Sequence, residues 1–202
     1  ATRPEVNGRT IAWSNLQLYP AVMLVYAGAL SAVARNQYGF LGRLAAESLA
    51  TNGPRSSFFY AVHIWTLCAD GLDRVWPTQL RTHTPISDCL YSLLRVHFHS
   101  LISGDDKYDS AFDTMEYLLA LITSDAREQI GLNPGGPIGR FGWHRDCRDL
   151  KQTPVVARLL AEVKDRGSAS AILRAGLFGA SVERFESAVG AINDHVTRLS
   201  WW

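Results

Sequence analysis

The chain has 202 residues, of which 47% are hydrophobic and 19% are charged, and its formal net charge is +1. This length suits one compact domain with a sizeable core, and this composition excludes an intrinsically disordered chain. A net charge near zero removes the electrostatic argument for binding nucleic acid or an anionic membrane surface. We therefore expect neither of these partners.

The three cysteines, Cys68, Cys89 and Cys147, are widely spaced and contain no CxxC pair. That usage argues against a disulfide scaffold and indicates a reducing compartment. No basic segment followed by an apolar one begins the chain, so no signal peptide is expected, and we predict a cytoplasmic location. A start at Ala1 indicates either removal of a methionine or a fragment of a longer protein.

Residues 1–15 are predicted to form an extended leading arm. The longest uncharged apolar stretch, Leu18–Ala34, is about as long as the shortest membrane span. Its early proline and many alanines favour a buried core helix over Pro20–Arg35 instead, the kind of helix that the centre of a bundle requires. Apolar residues at helical spacing predict a second helix over Tyr38–Leu49.

Caps, breakers and apolar stripes predict further helices before residue 131. The ranges are Phe58–Val75, behind a serine cap at Ser56 or Ser57; Ile86–Ile102, behind Thr84 and Pro85; and Asp105–Ile130. The range Asp105–Ile130 is either one long helix or two shorter ones.

A long irregular loop is predicted at Gly131–Leu150, which contains five glycines and two prolines and has no helical period. A loop of about 20 residues inside a compact domain is usually functional or held by partners. The remaining residues, 151–202, are predicted to be helical over Val155–Asp165, Ser168–Phe178 and Ser181–Leu199. These elements together predict a single all-α domain over residues 1–202, a bundle of about seven to nine helices.

Basic and aromatic side chains are interleaved in the second half of that loop. Such a mixture can contact a protein partner, bind an anionic small ligand or stack on a base. The alternative is structural: Phe141 and Trp143 hold the loop to the core, while the arginines are solvated or paired with Asp146 and Asp149. The candidate contact residues are Arg140, Phe141, Trp143, His144, Arg145 and Arg148.

An acidic cluster, Asp105, Asp106 and Asp109, follows Gly104. Carboxylates four residues apart share a helix face, which is how aspartate-rich helices hold magnesium against a diphosphate. The helix dipole, however, favours acidic residues in a first helical turn without any metal. A magnesium site at this cluster is therefore an alternative, and otherwise we expect no metal and no cofactor.

Three segments in this order resemble a helical region found after the effector or nucleotide-binding domains of large bacterial proteins. They are LYPAVMLVYAGALSAVARNQYGFLGRL (Leu18–Leu44), FDTMEYLLALI (Phe112–Ile122) and GPIGRFGWH (Gly136–His144). Some of those proteins carry sirtuin-like, Toll/interleukin-receptor-like or NTPase domains and are associated with antiphage defence. The resemblance implies a non-enzymatic module, because the chemistry of such proteins resides in the other domain.

Our first functional hypothesis is therefore a non-enzymatic helical sensor, scaffold or oligomerisation domain of a larger bacterial protein. Its partner would be another protein, the flanking domains of the parent chain or a second copy of itself. One alternative is a small all-α enzyme that uses magnesium on a diphosphate substrate. Another is a regulator that binds a small ligand in a pocket lined by Phe58, Tyr60 or Trp65.

Overall fold

The computed structural model describes residues 17–49, 56–68, 83–143 and 154–199. Nine α-helices account for most of the regular structure in these ranges, and the predicted all-α class is confirmed. The predicted leading arm, residues 1–15, lies outside the described residues.

The helices are numbered along the chain, and short 3-10 turns lie between some of them. Their bounds are α1 Tyr19–Arg35, α2 Gly39–Ala46, α3 Phe58–Ala61, α4 Ile64–Cys68, α5 Pro85–Phe98, α6 Asp105–Gln129, α7 Pro154–Arg166, α8 Ala171–Arg174 and α9 Val182–Thr197. The 3-10 turns are Arg140–Gly142, Gly167–Ala169 and Leu177–Ala180, and a two-residue antiparallel pair joins β1 (Ser48–Leu49) to β2 (Ser56–Ser57).

Helix α6 is the centre of the bundle, because every residue from Thr114 to Ala126 is buried. Helices α1 and α9 and the turn Arg140–Gly142 pack against it. Asp105 and Asp106 occupy its first turn, where the helix dipole favours carboxylates. The predicted range is confirmed as one long helix, and it is the element on which the rest of the fold is assembled.

Helix α1 is a core helix, as predicted, but it has one exposed side. Val22, Val25 and Ala29 are buried, whereas the Leu24 side chain is 70% exposed. The helix that is buried on all sides is instead α6, over residues Thr114 to Ala126. Its apolar pattern did not predict this, because several of the buried residues are polar. No helix in the described part of the chain is both long and apolar enough to span a membrane.

Two predicted helices in the first half are shorter than expected. The helix predicted over Tyr38–Leu49 ends at Ala46, because Ser48 pairs with Ser57 in the short ladder. The helix predicted over Phe58–Val75 breaks at Val62, whose backbone is extended. An extended backbone lets alternate residues point the same way, and Val62 and Ile64 are both buried. Residues 69–75 lie outside the described residues.

The helix predicted over Ile86–Ile102 ends at Phe98 and closes in a turn. That predicted over Ser168–Phe178 is instead a series of short turns, α8 among them. Gly176, with a left-handed backbone (φ 87°), follows α8 and prevents its continuation. The next turn, Leu177–Ala180, is itself left-handed at Phe178 (φ 56°), Gly179 (φ 60°) and Ala180 (φ 58°). This turn places the Phe178 ring in the core against Phe185, with ring centroids 5.3 Å apart.

The helices predicted over Val155–Asp165 and Ser181–Leu199 are confirmed as α7 and α9. Ser181 caps α9, as its hydroxyl accepts a hydrogen bond from the Arg184 N–H at 3.1 Å. Phe185, Val189 and Ile192 recur at helical spacing and are all buried. The same periodicity predicted this helix from the sequence.

Candidate functional site

The loop of residues 131–143 runs back along α6 in close backbone contact. The Arg127 side chain donates from Nε to the Asn133 carbonyl at 3.1 Å. A Cβ atom at Gly136 would lie 2.2 Å from the Ala120 carbonyl oxygen, so only glycine permits this approach. The glycines of the predicted loop therefore allow it to lie directly on the central helix.

The aromatic side chains of the loop are anchored inward. The Phe141 ring is 5% exposed and meets the Tyr117 ring edge-on, with centroids 5.6 Å apart. The half-buried Trp143 ring stacks on His83 with centroids 4.1 Å apart. These contacts match the structural alternative, in which the two rings hold the loop to the core.

Arg140 is held by α5 through its side chain and its backbone. Its guanidinium forms an ion pair with Asp88 at 2.7 Å and lies 3.8 Å from the centroid of the Tyr91 ring. Its backbone N–H donates to the Ser87 hydroxyl at 3.1 Å. The side chain is 16% exposed, so little of it is available to a partner. The remaining candidates, His144, Arg145 and Arg148, and their suggested partners Asp146 and Asp149, lie outside the described residues.

Beneath this loop lies a buried carboxyl group that sequence reasoning missed, that of Glu116, which is 2% exposed. The hydroxyl of Ser87, on α5, and that of Tyr26, on α1, donate to its Oε1 atom, the latter at 3.1 Å. A Cβ atom at Gly139 would lie 2.3 Å from the carboxyl carbon and from both oxygens. The signal was its position: Glu116 lies four residues after Phe112 and one after Met115, on the apolar stripe of α6.

Burial, together with the negative charge of Asp113, raises the pKa of the Glu116 carboxyl from 4.5 to about 7. Hydrogen bonds from Ser87, Tyr26 and the Phe141 backbone oppose this rise. The physical cause is desolvation, because hydroxyl and amide donors replace only part of the water that an ionised carboxylate requires. This buried carboxyl therefore titrates near neutral pH.

The acidic cluster of α6 is divided among different partners. Asp105 forms an ion pair with Arg95, and Asp109 accepts a hydrogen bond from the Tyr91 hydroxyl. Asp106 lines an open groove of about 430 Å³ together with Lys107 and Arg158. In the described part of the chain no three His, Cys, Asp or Glu side chains come together as ligands for a metal ion.

A second aromatic cluster joins α4 to α9. The Trp65 ring lies 6.1 Å from the His63 ring and 5.9 Å from the His195 ring, centroid to centroid. Burial lowers the pKa of His63 to about 4 and also lowers that of His195, with a contribution from Arg198. Both imidazoles are therefore neutral at pH 7 and do not provide a cationic site.

The space beside this cluster bears on the ligand-binding alternative. A small cavity lined by Phe59, His63 and Thr123 has a volume of about 10 Å³. That is room for about one water molecule and not for an organic ligand. Of the residues named for such a pocket, Phe58, Tyr60 and Trp65 are half-buried.

Comparisons of the chain with protein-family models, with curated proteins and with solved structures gave no match.

Proposed function

We propose that the chain is a non-enzymatic helical domain for sensing, scaffolding or oligomerisation within a larger bacterial protein that acts in antiphage defence. Its partners would be the flanking domains of the parent protein, another protein or a second copy of the chain. The resemblance of three helical segments to such regions supports this role. The structural feature that carries the proposal is an apolar surface on α5.

That surface consists of Leu93 and Val96, with Leu101 just after the helix. Their side chains are 39%, 76% and 38% exposed, respectively. Positions three apart lie on the same side of a helix, so Leu93 and Val96 form one face. Single exposed apolar residues are common, whereas adjacent ones on a helix face are typical of surfaces that meet another protein.

The test is the molar mass of the purified chain by light scattering coupled to size exclusion. We expect a dimer or larger assembly, a multiple of 22.4 kDa. The double variant Leu93→Ser, Val96→Ser should elute as a monomer with an unchanged helical circular dichroism spectrum. A 22.4 kDa mass for the unmodified chain at every concentration would contradict self-association.

A matched control is Ile130→Ser. Ile130 is 41% exposed, similar to Leu93, but follows the C-terminal end of α6. Tyr91, on α5, contacts Asp109 near the other end of α6. The axial separation of residues 109 and 130 is about 30 Å at 1.5 Å per residue. Ile130→Ser should therefore leave the assembly intact, and its dissociation would place the contact elsewhere.

A further inference from the structure

Glu116 connects parts of the fold that are distant in sequence. Its carboxyl group accepts hydrogen bonds from Tyr26 on α1 and Ser87 on α5, and it lies directly against the backbone of Gly139 in the loop. Ser87 in turn accepts a hydrogen bond from the Arg140 N–H. The attachment of the loop to the bundle therefore includes a chain of contacts that ends on one buried carboxyl.

No positively charged side chain is paired with Glu116 in the described part of the chain. The guanidinium of Arg140 is engaged with Asp88. Asp113, on α6 itself, adds a negative charge nearby. A buried carboxylate without a cationic partner is costly, so its ionisation favours any rearrangement that admits water. The titratable or charged groups that contact Glu116, its neighbours or the loop over it are Tyr26 on α1, His83 before α5, Asp88 and Tyr91 on α5, Arg140 in the loop, and Asp113 and Tyr117 on α6.

The loop is the part of the enclosure that can yield at the lowest cost. On its other sides Glu116 is enclosed by α1, α5 and its own helix, whose backbone hydrogen bonds form a continuous ladder. Residues 133–139 have no regular structure, and the turn Arg140–Gly142 is a single 3-10 turn. Local opening of an irregular segment breaks few backbone hydrogen bonds. Gly139, in van der Waals contact with the carboxyl, is the first residue to separate from it.

We propose that Glu116 is a proton-operated latch: its neutral carboxyl holds residues 138–142 against α6, and loss of its proton releases them. The release uncovers Tyr117, on which the Phe141 ring packs, and breaks the hydrogen bond from the Arg140 N–H to the Ser87 hydroxyl. In the released state water reaches the carboxylate, so its ionisation is no longer hindered. Opening is therefore favoured as the pH rises and disfavoured as the pH falls.

The test is amide hydrogen exchange read by mass spectrometry between pH 5 and pH 8, corrected for the intrinsic pH dependence of exchange. Peptides from residues 131–143 report the latch, and peptides from α9 report global unfolding. We expect the opening equilibrium of the loop to increase about tenfold per pH unit and to level off near neutral pH. Peptides from α9, which exchange on global unfolding, should stay far more protected than the loop at every pH.

Three variants make the test specific. Glu116→Gln cannot ionise, so its loop protection should be independent of pH. Tyr26→Phe removes a donor to the carboxylate and should move the plateau to higher pH. Asp113→Asn removes the neighbouring negative charge and should move it to lower pH, and because Asp113 is only half-buried this variant is expected to fold.

Opposite displacements of the plateau in Tyr26→Phe and Asp113→Asn would support the latch. The proposal is overturned if the loop of the unmodified chain shows no pH dependence, or if Glu116→Gln retains it. It is also overturned if the loop and α9 have equal protection factors at every pH, because the loop would then open only when the whole chain unfolds. None of these outcomes depends on the oligomeric state tested above.

Discussion

Two carboxylates on the central helix α6 hold neighbouring segments by different chemistry. Asp125 binds the guanidinium of Arg184, on α9, through two hydrogen bonds of 2.8 Å and 2.7 Å. Glu116, two and a half turns earlier on the helix, is bound by hydroxyl groups and by backbone. The first attachment matches one charge with another, and the second leaves the carboxyl without a cation.

The difference determines how each attachment responds to pH. A planar guanidinium fits a carboxylate with two parallel hydrogen bonds, and Asp125 raises the pKa of Arg184, which keeps its charge at every physiological pH. The hydroxyl donors at Glu116 compensate less, so burial there favours the neutral acid. The docking of α9 is thus a fixed contact. The loop has a fixed contact as well, the ion pair of Arg140 with Asp88, but its attachment at Glu116 depends on a proton.

The largest effect is expected when the loop is forced off α6 without changing either carboxylate. In Gly136→Ala the added methyl group would lie 2.2 Å from the Ala120 carbonyl oxygen, and because the backbone of α6 is fixed in the core, the loop must move away from it. We expect a loss of about 3 kcal/mol in the free energy of unfolding, measured by urea denaturation.

Gly190→Ala is the matched control, because the new methyl group meets nothing within 4 Å inside α9. A helical glycine costs about 0.5–1 kcal/mol relative to alanine, so this variant should be more stable than the unmodified chain. A Gly136→Ala protein within 0.5 kcal/mol of the unmodified chain would show that the loop does not need this close approach.

The next effect compares the two carboxylates directly by replacing each with its amide. Asp125→Asn removes the charge that the Arg184 guanidinium binds, and because Arg184 is 36% exposed we expect a loss of only about 1–2 kcal/mol. The loss should appear at both pH 5 and pH 8, because Arg184 is charged at both. Thermal and urea unfolding at the two pH values measure it.

The effect of Glu116→Gln on stability, unlike that of Asp125→Asn, should depend on pH. The pKa of Glu116 is higher in the folded chain than in the unfolded chain, so the folded chain binds more protons between about pH 4.5 and pH 7 and loses stability as the pH rises through that window. Relative to the unmodified chain, Glu116→Gln should therefore gain roughly 2 kcal/mol between pH 5 and pH 8. An equal difference at both pH values would remove the distinction between the two attachments.

The fold was largely predictable because most helices carry local signals. Pro85 and Ser181 stand at the starts of α5 and α9, and the apolar stripe from Phe112 to Ile122 predicts α6. The left-handed backbone at Phe178 and Ala180 was not predictable, because neither residue type favours that conformation. Tertiary packing decides it, through the burial of the Phe178 ring against α9.

The candidate site was predictable in its location and not in its chemistry. Composition located the loop and its Arg140, but an arginine that binds a partner and one that binds Asp88, on α5, have the same sequence signature. Although a single glutamate in a helix is usually solvated, the position of Glu116 on the apolar stripe of α6 indicates burial, but not which groups it contacts. Only the tertiary contacts show that it faces Tyr26 and Ser87.

The smallest effect is expected at a third carboxylate of α6, Glu128, which meets α9 at the surface. The Ser187 hydroxyl lies 3.3 Å and 3.1 Å from the two carboxylate oxygens, and the contact is exposed. Water can replace an exposed hydrogen bond almost completely, so Ser187→Ala should change the free energy of unfolding by less than about 0.5 kcal/mol. Ser187 lies one helical turn beyond Arg184, so the two variants compare a partly buried ion pair with an exposed contact to a neutral donor at the same interface. A loss as large as that of Asp125→Asn would mean that the interface between α6 and α9 excludes water even at its edge.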